Sequence, residues 1–160
     1  MIVVVADTSP VNYLIQIELV DLLHRLYGHM LIPKAVLAEL QSEAAPEPVK
    51  QWASQLPVWI DVAFVPASDD PLLSTLDRGE REAILLAETS HATLLVIDER
   101  KGTQAARVRG LETVGTLGLI ARAHKRGWID GSEVFERLIQ TTSFRHASAL
   151  REIFLASLTR

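Results

Sequence analysis

Along this chain, short unbroken apolar runs alternate with longer stretches in which apolar residues recur every three or four positions, a pattern that predicts strands followed by helices. Ile2 to Ala6 is continuous and rich in β-branched residues, which predicts a strand buried on both faces, closed by Asp7-Thr8-Ser9-Pro10. From Val11 onward Leu14, Ile17, Leu19, Leu22, Leu23 and Leu26 follow helical spacing, predicting abutting helices that stop at Gly28. Met30-Leu31-Ile32 predicts a second strand, and Pro33 suits the first turn of a helix over 34–42 that carries Val36, Leu37 and Leu40 on one side. Pro46 and Pro48 break the chain, after which 49–56 reads as a helix and 58–65 as extended. Asp77 opens a helix that runs to about Ser90, and Thr93 to Ile97 is a second fully apolar strand that also ends in an aspartate, Asp98. Residues 99–108 read as helix, Glu112-Thr113-Val114 as a short strand, 115–126 as a helix stopped by Gly127, and 132–158 as helices broken near Thr142-Ser143. The alternation implies right-handed βαβ units: an α/β fold with a mainly parallel sheet flanked by helices on both faces.

The length of 160 residues fits one ordinary domain, and neither an internal repeat nor an interdomain linker interrupts it. A mean hydropathy of +0.18 supplies enough apolar mass for a core and excludes a disordered chain. The formal net charge of −4 gives no global basic field, so any nucleic-acid partner has to be held by local cations. With no cysteine, a disulfide scaffold, a thiolate zinc site, an iron–sulfur cluster and a cysteine nucleophile are all excluded, and a bound metal must sit on oxygen or imidazole. The N-terminus lacks the basic region and long apolar stretch of a signal peptide, and no later apolar run approaches the roughly 20 residues of a membrane span. A cytoplasmic location without membrane contact is the expectation.

In open α/β sheets, chemistry gathers beyond the carboxyl ends of the strands. Asp7 and Asp98 both stand there. If their strands are neighbours, about 4.8 Å apart, the two carboxylates are expected to face each other and to need a proton or a hard divalent ion between them. Each could instead serve as a helix N-cap. Glu80 precedes Ala83, Ile84 and Ala87 by three, four and seven positions, which turns it inward, whereas Glu82 falls further round the helix. The alternative for Glu80 is a capping box with Asp77. Glu39 lies beside Val36 and Leu40, either as a fourth inward acid or as a solvated flank residue. One βαβ sheet brings Asp7, Glu39, Glu80 and Asp98 to a single edge, as in acidic metal sites.

The ordered set Val-Ala-Asp-Thr-Ser-Pro at 5–10, Pro-Lys-Ala-Val-Leu-Ala-Glu-Leu at 33–40, Gly-Glu-Arg-Glu-Ala-Ile at 79–84 and Leu-Val-Ile-Asp-Glu-Arg at 95–100 resembles the PIN domain family of metal-dependent ribonucleases. Gly-Thr-Leu-Gly-Leu-Ile at 115–120 is similar to the branch close to the VapC-type toxins of bacterial toxin–antitoxin pairs. The resemblance covers 1–126 and leaves 127–160 as a helical C-terminal extension of a single PIN-like domain. It implies that Asp7, Glu39, Glu80 and Asp98 are the catalytic acids and the ligands of Mg²⁺ or Mn²⁺, with Thr8 or Ser9 supporting the first. The family more often carries Asp at the third position, so Glu82 stands as an alternative to Glu80, and Glu99 as a spare beside Asp98. It further implies an RNA substrate, an antitoxin protein as partner and a homodimer. Leu14, Leu19, Leu22, Leu23 and Leu26 spread over more than one helical face, which fits apolar surface left for a second copy.

Arg78, Arg81, Arg100, Lys101, Arg107 and Arg109 flank the third and fourth acids and could hold an RNA backbone, or could simply be solvated helix faces. The five histidines show no metal-ligand spacing, and Trp52, Trp59 and Trp128 read as packing residues. Two other readings stand beside a ribonuclease. One is a catalytically degenerate PIN-like module that binds RNA or protein. The other is a doubly wound phosphatase or phosphoryl-transfer domain with Asp7 as covalent nucleophile, against which residue 9 is serine where that chemistry wants a second aspartate.

Overall fold

Alternate residues of each strand point into two different cores, and this places the sheet between two layers of helices. The computed structural model describes residues 2–146 and 148–159. Among these, β1 (Val4–Ala6), β2 (Met30–Pro33), β3 (Ile60–Ala63), β4 (Leu94–Val96) and β5 (Thr113–Val114) form one parallel sheet in the order β3-β2-β1-β4-β5. Val4, Ala6, Met30, Ile32, Leu94 and Val96 enter one core. Val5, Leu95 and Ile97 enter the other. Each fully buried Val, Leu, Ile or Met side chain among them stabilises the fold by roughly 1.5–3 kcal/mol.

The first core is covered by α1 (Thr8–Gln16), α2 (Asp21–Tyr27), α4 (Glu47–Ser54), α7 (Thr116–Lys125), α8 (Gly131–Thr141) and α9 (Ser148–Ser157). The second is covered by α5 (Arg78–Thr89) and α6 (Arg100–Val108), while α3 (Lys34–Leu40) packs against both α5 and α4. The expected α/β architecture is therefore present. The strands are shorter than the apolar runs that announced them: Ile97 is 2% exposed and lies beyond β4, although its N–H still donates to the Val114 carbonyl. A 3-10 turn at Pro71–Leu73, capped by the Asp70 side chain accepting from the Leu72 N–H, occupies a stretch that periodicity left unassigned.

The surplus of leucines in α1 and α2 is not a free surface. Leu14, Leu22 and Leu23 are buried, and Leu19 and Leu26 pack partly buried against the same core. α1 touches α3, α4 and α7, and α2 touches α7, so most of this apolar surface is spent within the domain, while Leu19 and Leu26 keep partial exposure. No helix among the described residues is long and apolar enough to cross a membrane.

From β1 the chain winds outward through β2 to β3, then returns through α5 to the opposite side of β1 as β4. The strand order thus reverses between β1 and β4, and at such a switch point the carboxyl ends of the strands border a crevice. The N-termini of α1, α5, α6 and α7 open on this same edge, each bringing N–H groups that lie outside the helical ladder and the positive end of its dipole.

Candidate active site

Asp7 and Asp98 directly follow β1 and Ile97 respectively, one on each side of the switch point, but they do not face each other squarely. Ala6 pairs with Val96, and the Asp7 N–H donates to the Val96 carbonyl, so the register sets Ile97 opposite Asp7 and carries Asp98 one residue further. Because side chains alternate, that single step sends the two carboxylates to opposite sides of the sheet edge. Asp7 lies towards α5. Asp98 turns to the start of α7, where its Oδ1 accepts from the Thr116 N–H at 2.7 Å and its Oδ2 from the Thr116 hydroxyl at 2.5 Å. The expected face-to-face pair is corrected to a staggered one.

Neither aspartate is an ordinary cap. Asp7 occupies the N-cap position of α1 but makes no side-chain cap hydrogen bond, and its Oδ1 is buried with no partner. Burial, ahead of the charges of Asp77, Glu39 and Asp98, pushes the Asp7 carboxyl up to about 7, against the opposing pull of the nearby Thr8 backbone N–H. Asp98 is raised by burial and, less, by Glu99, while its Thr116 hydrogen bonds pull the other way.

The capping box at α5 is half made. The Asp77 side chain accepts from the Glu80 N–H at 2.8 Å, but Glu80 does not complete the reciprocal bond, and its Oε2 is the second buried carboxylate oxygen without a partner. Burial first, then the hydrogen bond and charge of Asp77 and the charges of Asp7 and Glu99, hold the Glu80 carboxyl well above the usual carboxylate range. Glu39 reaches from α3 to the same edge. Its carboxylate accepts from the Thr8 hydroxyl and lies against Gly79, and burial raises its pKa, with Asp77 and Glu82 adding. Thr8, next to Asp7 in the chain, therefore supports Glu39 with its side chain.

Three of the acids lie against glycines, and the fit is close. A Cβ built on Gly79 would stand 2.6 Å from Glu39 Oε1, one on Gly102 would stand 2.7 Å from Glu80 Oε2, and one on Gly115 would stand 2.7 Å from Asp98 Oδ1. A side chain at any of these positions would displace a carboxylate. Of the two other acids considered from sequence, Glu82 turns away from the site, whereas Glu99 stays beside Asp98. Glu82 accepts from the Ala35 N–H and the Arg78 Nε, joining α5 to the start of α3, and Glu99 is exposed.

The four acids do not close into a ready cage. Among the described residues no three carboxylate or imidazole groups converge closely enough to enclose an ion by themselves. What the edge offers is a pair of unsatisfied buried carboxylate oxygens, two further acids held in place by Thr8 and Thr116, and several helix N-termini.

Of the cations, Arg78 and Arg81 line a shallow groove with Phe64 and Leu85, Arg78 being paired with Glu82. Arg100 and Lys101 are exposed at the start of α6, on the acidic edge, and Ser9 lines a groove beside Asp98. Arg107 and Arg109 are not at the site. A helix that follows a strand runs back to the opposite edge, so the end of α6 is about 13 Å from its start. There Arg107 donates to Thr113, and Arg109 is held between Glu88 and Asp70. The histidines have structural places: His24 stacks on Trp59, and His124 accepts from the Gly131 N–H. Trp52 packs by Trp59, and Trp128 lies under the Arg25 guanidinium at 4.0 Å.

Asp77 and Thr116 are the functional neighbours that sequence reasoning did not place in the site. Asp77 had a signal, three residues before Glu80, but reads as a cap. Thr116 could be found only by knowing that β5 lies beside β4.

A family model described as a PIN domain matches residues 3–160, which includes the C-terminal helices. No curated protein and no solved structure is significantly similar to the chain.

Proposed function

This chain belongs to the PIN domain family, and from that premise we propose that it is a Mg²⁺- or Mn²⁺-dependent ribonuclease, the toxin of a toxin–antitoxin pair acting on RNA in the cytoplasm. PIN domains are generally nucleases. The observation that carries the reading for this chain is the pair of buried, unpartnered oxygens, Asp7 Oδ1 and Glu80 Oε2, at the switch point of the sheet. Buried carboxylate oxygens without donors cost several kcal/mol unless a proton or a cation meets them.

The donor set suits a hard cation with oxygen ligands, and Mg²⁺ retains several waters and takes only one or two carboxylates directly, so a closed cage of three is not required. Asp7, Glu80, Asp98 and Glu39 would hold it. When bound it supplies Lewis acidity to a phosphodiester and an activated water for its hydrolysis. The chain's own residues do the rest. Thr116 fixes both oxygens of Asp98, the Thr8 hydroxyl fixes Glu39, and in this reading the exposed Arg100 and Lys101 would meet the phosphate backbone. No side-chain nucleophile is needed, which separates the reading from a phosphatase. The toxin assignment rests on the likeness of residues 115–120, and a small adjacent reading frame encoding a DNA-binding antitoxin would support it.

An edge site with few cations reaches a flexible unpaired strand more readily than a rigid A-form duplex. A fluorescent RNA oligonucleotide should be cut in Mn²⁺ or Mg²⁺ and not in EDTA, and its single-stranded form faster than its duplex. Binding without cleavage across a panel of RNAs would favour the degenerate module instead.

A further inference from the structure

An open groove of about 710 Å³ begins at Asp98 and is walled on the far side by Ser143, Phe144 and Arg145, from the segment joining α8 to α9. We propose that this groove is a nucleotide subsite, in which the base of one unpaired RNA residue stacks on the Tyr13–Phe144 pair while Arg100 and Arg145 hold the phosphates on either side. The proposal rests on the ribonuclease reading and adds to it the part played by the C-terminal extension.

Position comes first. The groove shares Asp98 with the acidic edge, so a strand lying in it would pass beside the acids. Its volume lies within the range of pockets that take small organic ligands. The wall has the right chemistry. Tyr13 and Phe144 meet edge to face, with ring centroids 5.4 Å apart and planes at 82°, an arrangement that leaves both faces of the edge-on ring unspent by the partner. Both rings are half-buried and pack against the same core, so the contact between them ties the wall to α1.

Charge gives the third argument. Asp98 and Glu99 line the groove and would repel a polyanion, yet Arg100 and Arg145 also line it, both exposed and neither in an ion pair among the described residues. Arg78, Arg109 and Arg151, by contrast, are each held by an acid. Two cations without acids flanking an aromatic pair match what unpaired nucleic acid requires, with π-faces for bases and point charges for the backbone.

The test is RNA binding by fluorescence anisotropy in EDTA, with single-stranded oligonucleotides carrying one abasic residue at each position in turn. The parent should lose about 5- to 100-fold in affinity at one position and little at the others, the range that base–aromatic stacking spans. Phe144→Leu keeps apolar bulk and should bind all the oligonucleotides alike, at the abasic level. Arg145→Gln should weaken every oligonucleotide evenly and reduce the salt slope by about one. Equal sensitivity to the abasic residue in parent and Phe144→Leu, or no sensitive position, would overturn the subsite, as would absence of RNA binding. Cleavage in Mn²⁺ is read separately. Cleavage with no abasic dependence removes the subsite alone, whereas RNA binding without any metal-dependent cleavage removes the ribonuclease reading.

Discussion

Replacing Asp7 by Asn removes a charge that the fold holds against burial, and the stability of the metal-free protein should show it. The Asp7 carboxyl rises from 3.8 to about 7 on folding. The folded state thus binds this proton more tightly than the unfolded chain does. Below about pH 4 both states are protonated and the shift is without effect. As pH rises towards 7 the unfolded chain ionises first, so the parent loses stability, and above the folded value the loss levels off at about 4 kcal/mol, some three pH units at 1.36 kcal/mol each. At roughly 2–4 °C per kcal/mol for a chain of this length, the Tm of Asp7→Asn minus that of the parent should grow by about 10 °C between pH 4 and pH 8. The unmet amide donors of Asn subtract a pH-independent amount, so the slope of the difference carries the test rather than its sign. Thermal unfolding in EDTA across this range measures it. Parallel curves for the two proteins, or a difference that shrinks towards alkaline pH, would refute the reasoning. Added Mn²⁺ should raise the Tm of the parent and leave that of the variant nearly unchanged.

Gly79→Ala should separate activity from stability in a second way: its Cβ would displace the Glu39 carboxylate, which sits on a flexible stem, while Ala favours the helix by up to about 1 kcal/mol. Calorimetry should find weaker Mn²⁺ binding with an unchanged or slightly raised Tm, and unchanged affinity would remove Glu39 from the site. Thr116→Val deletes the hydroxyl on Asp98 Oδ2 and should lower Mn²⁺ affinity and cleavage by about 10- to 100-fold, as the loss of groups that orient metal ligands does. Thr116→Ser should restore both, and failure of Ser to rescue would mean that the methyl group of this fully buried residue matters more than its hydroxyl.

The elements were legible in the sequence where a single local signal decided them. The apolar run ending in Asp98 and the Asp77 cap before Glu80 each describe their own surroundings, and the structure places β4 and α5 there. Pairings between distant residues were not legible. That Asp98 overshoots Asp7 by one position depends on the register of β1 against β4, which no pattern within either strand encodes. Arg109 looks like a free cation beside Asp98 until α6 is seen to carry it to the opposite edge, against Asp70 and Glu88. The leucines of α1 and α2 look surplus because a helix enclosed on several sides needs more than one apolar stripe. The groove wall at 143–145 comes from a break between helices that reads, in sequence, only as a break.

The most direct measurement pairs cleavage with stability for the parent and Asp98→Asn, on a fluorescent single-stranded RNA in Mn²⁺ and in EDTA, together with thermal unfolding of both proteins without metal. The account predicts cleavage by the parent in Mn²⁺ alone, none by Asp98→Asn under either condition, and a variant at least as stable as the parent because one charge has left a crowded edge. Cleavage that persists equally in EDTA or in the folded variant would contradict it.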